Sequence, residues 1–122
     1  LSKDADLILL DEPSAYLDVE QRLLISKIIS QVAMERDITI MVVDHDLMFI
    51  DYVCTKLLVF SGVPAKEGVV QGPFSMEDGM NMFLEELGIT LRRDINSHRP
   101  RINKQNSVKD REQRGSNKWY YG

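Results

Sequence analysis

The sequence predicts an α/β fold, a parallel sheet flanked by helices, followed by a basic and irregular carboxyl-terminal segment. Three observations lead there. Short aliphatic runs recur at residues 7–10, 39–43 and 57–60; capped stretches with helical apolar spacing separate them; and the charge balance reverses near residue 92. Runs of four or five aliphatics suit strands buried on both faces. Strands alternating with helices through short connections imply a parallel layer covered by helices. With 122 residues, 43% hydrophobic and 28% charged, the chain reads as one globular unit with a modest core.

The first strand, LILL, runs into Asp11 and Glu12, and Pro13 closes it while pushing Glu12 towards extended geometry. Asp18 with Gln21 three residues on is a capping box, and Leu23, Leu24, Ile28 and Val32 keep helical spacing to about Arg36. The second strand, TIMVV, leads through Asp44, His45 and Asp46 into a short helix carrying Leu47, Ile50 and Val53. A third strand, LLVF, is expected to join the same sheet. After Ser61-Gly62 the chain turns, and Gly68 to Gln71 suits a small edge strand. Ser75 and Asp78 cap a helix to Leu87, with Gly88 as its stop and Met76, Met80 and Met82 as a packing face. From Arg92 onward no apolar period is sustained, so this part is expected to have no core of its own.

Residues 1–91 carry a net charge of −10 and residues 92–122 one of +6. The single cysteine, Cys54, excludes an internal disulfide framework and fits a reducing compartment. No apolar run approaches the ~20 residues that span a bilayer, and the first residues lack a basic leader region, so no membrane association and a cytoplasmic location are expected.

In open parallel sheets, ligands sit beyond the carboxyl ends of the strands. Asp11 and Glu12 follow one such end and His45 the next. Desolvating a carboxylate costs about several kcal/mol, so this pair should meet water, a metal or a cation. The plain alternatives are an acidic strand end and a hydrogen-bonded turn histidine.

The stretch LILLDEPSAYLD, with His45 after the next strand, resembles the Walker B element, D-loop and switch histidine of ATP-binding cassette (ABC) ATPases, which are P-loop NTPases. The resemblance implies ATP and Mg²⁺ as cofactors. Asp11 would hold Mg²⁺ through water, Glu12 would polarise the attacking water, and His45 would contact the γ-phosphate. Ser14 to Asp18 would face a second cassette, with Asp18 also capping its helix. No G-x-x-x-x-G-K-[ST] loop is present, and GVPAKEG at residues 62–68 lacks its spacing. The Leu-Ser-Gly-Gly signature is absent too. The chain is therefore expected to be a piece of a longer Mg²⁺-dependent ATP hydrolase and inactive by itself.

Within the ABC proteins, Tyr16, VVDHDLMFIDYV, FSGVP, GMNMFLEELGITLRRD and RPRINKQNS together resemble the ribosome-recycling, or RNase L inhibitor, family over essentially the whole chain. The resemblance implies the carboxyl-terminal half of a second nucleotide-binding domain over residues 1–91 and a terminal hinge over 92–122. It also implies a first cassette and an amino-terminal iron–sulfur domain elsewhere, since one cysteine cannot ligate a cluster. Its partners would be the other nucleotide-binding domain, the small ribosomal subunit and a release or rescue factor. Asp44 stands where many members have Glu. In the hinge, Arg99, Arg101 and Lys104 would make polar contacts; alternatively the basic tail with Trp119, Tyr120 and Tyr121 would bind ribosomal RNA through phosphates and stacking. His98 reads as an ordinary exposed residue. Two other classes compete: a non-catalytic interaction module on an ABC-like scaffold, and the ATPase head of a DNA-repair protein, for which the expected long heptads are lacking.

Overall fold

The computed structural model describes residues 5–121. They fall into two compact units, divided between Cys54 and Thr55.

In the first unit, strand β1 (Leu7–Asp11) and strand β2 (Thr39–Val43) pair in parallel, from Leu7 opposite Thr39 to Asp11 opposite Val43. Helix α1 (Val19–Arg36) makes the crossover. The expected capping box forms: Asp18 Oδ1 accepts from the Gln21 N–H at 2.8 Å and Gln21 Oε1 from the Asp18 N–H at 3.1 Å. At the other end Asp37 adopts a left-handed cap with φ 49°. Helix α2 (Leu47–Val53) starts at Asp46, whose Oδ1 accepts from the Met48 and Phe49 N–H groups. It packs against α1, with Phe49 and Ile29 buried. Both strands alternate exposed and half-buried positions, so Leu7, Leu9 and Asp11 share an outward face with Thr39, Met41 and Val43.

One expectation for Glu12 fails. Its φ is 47°, not extended. The Glu12 N–H donates to Val43 O at 2.7 Å and its carbonyl accepts from the Ala15 N–H at 3.1 Å, so the chain turns directly after β1. These two bonds outweigh the preference that Pro13 imposes. A bulky residue at positive φ stores on the order of 1–3 kcal/mol, and Tyr16 repeats the feature four residues on with φ 62°.

In the second unit, strand β3 (Lys56–Val63) takes up the third aliphatic run. It does not extend the parallel pair. It forms an antiparallel hairpin with β4 (Glu67–Ser75), which lengthens the edge strand expected at residues 68–71. The local turn decides this: the Lys66 N–H donates to Val63 O at 3.0 Å, and Gly62 sits at φ 134°, where a Cβ would lie 2.3 Å from Glu67 O. Helix α3 (Met76–Leu87) begins at Ser75 and ends at left-handed Gly88, as the sequence indicates. It packs on β3 and β4 through Gly79, Met80 and Leu84. A Cβ on Gly79 would stand 2.8 Å from Leu57 Cβ. Gly79→Val should therefore destabilise this unit by about 1–3 kcal/mol, seen as a lower urea midpoint at an unchanged slope.

Residues 92–121 are not irregular throughout. Strand β5 (Leu91–Arg93) pairs antiparallel with β6 (Pro100–Ile102), and helix α4 (Val108–Gly115) follows with Ser107 as its cap. Between the strands, Asp94 Oδ1 accepts from the Asn96 N–H, the Ser97 N–H and the Ser97 hydroxyl at 3.0–3.1 Å. This segment also shares a buried polar cluster with Thr90. The Thr90 hydroxyl donates to Asp110 Oδ1 at 2.5 Å and accepts from Asn103 Nδ2 at 3.0 Å. Asn103 Nδ2 also reaches Gln113 Oε1, and Gln113 Nε2 donates to Leu91 O at 2.9 Å and Lys118 O at 3.1 Å. Thr90 is 0% and Asp110 1% exposed. Leu91 bridges to Tyr120, and the Tyr120 N–H donates to Asn81 Oδ1 at 2.9 Å, fixing the chain end onto α3. Side-chain amides, a hydroxyl and a carboxylate make up much of this core beside Leu91 and Tyr120, which is why apolar spacing gives little sign of it.

Candidate functional site

Two turns meet at the carboxyl ends of β1 and β2. Glu12 follows Asp11 at the end of β1, and His45 stands two residues after Val43 at the end of β2. Because the strands are parallel and in register, both turns leave the same edge. His45 Nδ1 lies 3.2 Å from Glu12 Oε1, with both side chains open to solvent. An exposed pair of this kind contributes about 0–1 kcal/mol, so it fixes geometry weakly and leaves both groups accessible.

Beneath it lies a stronger connection. Asp44 Oδ1 accepts from the Ser14 hydroxyl at 2.9 Å and the Asp46 N–H at 2.9 Å, while Asp44 Oδ2 accepts from the Ser14 N–H at 3.1 Å. Ser14 is 3% exposed. Burial pushes the Asp44 carboxyl up, but the Asp46 N–H, the Ser14 hydroxyl and N–H, and the nearby His45 together hold it below its ordinary value. Asp46 adds a second link: besides capping α2, its Oδ2 pairs with Arg22 Nη1, and Arg22 Nε donates to Leu17 O at 3.0 Å.

A shallow cleft of about 510 Å³ opens here, lined by Glu12, Ser14, Tyr16, Arg22, His45 and Asp46, with Ala15. Tyr16 projects fully into solvent from its left-handed turn. Of the residues singled out in the sequence, Glu12, Ser14 and His45 come together. Asp11 lies on the outward face of β1, beside them but outside the cleft lining, and Asp18 serves as the cap of α1. The sequence pattern left Arg22 unmarked, gave Asp46 no more than a place in the turn, and marked Asp44 only as standing where many members of the resembled family have Glu. The available signal was the Asp-x-Asp spacing before α2, a pattern in which carboxylates bind backbone N–H groups.

In the second unit, Arg101 Nε pairs with Asp94 Oδ2 at 3.3 Å, and Arg99 and Lys104 are exposed on either side of β6. The terminal aromatics are already engaged. The Arg114 guanidinium lies 5.0 Å from the Trp119 ring centre, Tyr120 is buried, and Lys118 Nζ lies 5.8 Å from the Tyr121 ring centre.

Among the described residues no helix is long and apolar enough to cross a membrane. No family model matches the chain. It is 51% identical over 121 residues to an uncharacterized ABC transporter ATP-binding protein of Methanocaldococcus jannaschii, covering 99% of this chain and 20% of that protein. The solved structure of an RNase-L inhibitor superposes with a TM-score of 0.88 at 53% identity, over 98% of this chain and 23% of that one. ABCE1 in a structure of ribosome-bound archaeal Pelota and ABCE1 superposes with a TM-score of 0.93 at 52% identity, over 98% and 20% of the two chains. The chain thus spans about a fifth of the length of the curated relatives it matches. In sequence and in fold, the chain is a segment of the RNase L inhibitor family, the ABC-type ATPases that include ABCE1.

Proposed function

We propose that this segment supplies the hydrolytic edge of a Mg²⁺-dependent ATPase whose ATP-driven closure separates ribosomal subunits. Residues 1–91 are then the carboxyl-terminal half of its second nucleotide-binding domain and residues 92–122 its terminal hinge. The observation that carries the reading is the meeting of Glu12 and His45, 3.2 Å apart, at the ends of two parallel strands beside an open cleft. Similarity to ABCE1 in a ribosome-bound structure supports the ribosomal part.

Among the described residues no three His, Cys, Asp or Glu side chains gather into a metal site. The donor offered by Asp11 is a single carboxylate on the open face of β1. That fits Mg²⁺, which keeps several waters and takes one or two carboxylates together with substrate phosphates. When bound, Mg²⁺ supplies charge neutralisation at the phosphate oxygens. Glu12 orients a water molecule and accepts its proton as the water oxygen attacks the γ-phosphorus and the bond to the β–γ bridging oxygen breaks, so that ADP leaves and inorganic phosphate is formed. His45 donates a hydrogen bond to a γ-phosphate oxygen, and Ser14 to Asp18 present the turn that faces the opposing cassette.

Arg99, Arg101 and Lys104 belong to the hinge reading, in which they bind the neighbouring cassette. RNA stacking by the tail is the weaker alternative, because Trp119 and Tyr120 are already packed. Iron–sulfur clusters, the first cassette and contacts with a release or rescue factor belong to other parts of the protein, which works in the cytoplasm. A sucrose-gradient assay of subunit separation by the full-length protein tests the reading. With ATP the wild type should release free subunits from post-termination ribosomes over repeated rounds, and Glu12→Gln, which still binds ATP and closes, should stop after a single round; ribosomes that stay joined while ATP is consumed would contradict it.

A further inference from the structure

We propose that Asp44 is a positioning residue that sets the distance between Glu12 and His45 by clamping the two strand-end turns together. The inference rests on the ATPase reading of this edge and adds a control element to it.

Two rungs cross between the turns. The outer rung is the solvent-exposed pair of Glu12 and His45. The inner rung joins Ser14 to Asp44, two residues beyond Glu12 on one side and one before His45 on the other, through two hydrogen bonds of 2.9 and 3.1 Å. The inner rung is buried at Ser14 and uses an ionised acceptor, which makes such bonds roughly twice as strong as neutral ones. The outer rung is weak by comparison. Geometry at the exposed pair therefore follows the clamp.

The clamp also holds a turn that local preference does not favour. Glu12 sits at φ 47° before a proline, and Tyr16 at φ 62°. Between them, Ser14 has both its N–H and its hydroxyl tied to Asp44, and its carbonyl accepts from the Leu17 N–H at 3.2 Å. Asp44 Oδ1 further accepts the Asp46 N–H, so one carboxylate registers the loop after β1 against the start of α2. Asn keeps the acceptor for the Ser14 hydroxyl but sets an NH₂ group against the Ser14 N–H.

The test uses the full-length protein and compares wild type, Asp44→Ala, Asp44→Asn, Ser14→Ala, the Asp44→Ala/Ser14→Ala double variant and Glu12→Gln. Misplacement of a reacting group by about 1 Å costs on the order of 10²-fold, so Asp44→Ala should lose about 10- to 100-fold in kcat with the KM for ATP within about twofold. Asp44→Asn and Ser14→Ala should lose less, and the double variant no more than Asp44→Ala alone, because the two residues act as one unit. If Asp44→Ala fails to fold in a thermal melt, Asp44→Asn decides: a fall in kcat at unchanged KM supports the clamp, and a wild-type kcat overturns it. A wild-type kcat in a folded Asp44→Ala, with Glu12→Gln inactive, overturns the clamp and leaves the ATPase reading intact. Full activity in Glu12→Gln would instead remove the reading on which the clamp rests.

Discussion

Glu12→Gln in the full-length protein is expected to lower ATP turnover by about 10²- to 10⁴-fold, the usual contribution of a positioned general base, while nucleotide binding persists. Steady-state phosphate release and equilibrium ATP binding measure the two separately. The side chain keeps its length and its turn, since that turn is held through backbone groups: the Glu12 N–H to Val43 O and the Ala15 N–H to Glu12 O. Only the proton-accepting oxygen is lost. The expected split, slow turnover with retained binding, follows because Glu12 faces an open cleft and carries no buried packing.

Thr90→Val is expected to cost about 1–3 kcal/mol in the local stability of β5 and α4, read by hydrogen exchange of their amides. Valine matches threonine in shape but removes the hydroxyl that serves Asp110 and Asn103. Both partners then stay buried with one bond fewer. The same cluster gives a pH dependence with a definite sign. The Thr90 hydroxyl is the main influence holding the Asp110 carboxyl below its ordinary value of 3.8; burial opposes it, and the Asn106 N–H and Arg114 guanidinium assist. Since the folded-state value is the lower one, the stabilisation is complete above the ordinary value and disappears as pH falls through the depressed one. Acid titration of the wild type should show protection in α4 persisting at neutral pH and failing only well into the acid range. Thr90→Val should begin to lose protection at higher pH.

The regular elements of the first unit are plain in the sequence because each rests on a local signal. Asp18 with Gln21 marks the start of α1, TIMVV marks β2, and Asp46 precedes α2. The same holds for Ser75 and Gly88 around α3. Elsewhere the deciding interaction was a turn or a polar contact that apolar spacing does not register. The run at residues 57–60 looks alike whether it joins a parallel sheet or a hairpin, and the choice rests on the turn around Ala65 and its return strand. Pro13 predicts an extended Glu12, but hydrogen bonds to Val43 and Ala15 impose the opposite. The carboxyl-terminal core is built from Thr90, Asn103, Asp110 and Gln113, residue types that carry no apolar periodicity.

The site was half legible for the same reason. Glu12 and His45 stand out because unusual residue types follow strand ends. Ser14 is legible as part of the loop after β1, but its contact with Asp44 is not, and Asp46 and Arg22 are ordinary cap and helix residues until the fold brings positions 14 and 44, and 22 and 46, together.

The most direct test of the central claim, that this strand edge performs the hydrolytic step, is the identity of the nucleotide retained by the full-length protein. After incubation with Mg²⁺ and labelled ATP, then rapid removal of free nucleotide, the Glu12→Gln variant should retain ATP at this cassette, whereas the wild type retains ADP. Retention of ADP by Glu12→Gln at the wild-type rate would show that hydrolysis proceeds without this carboxylate and would contradict the account.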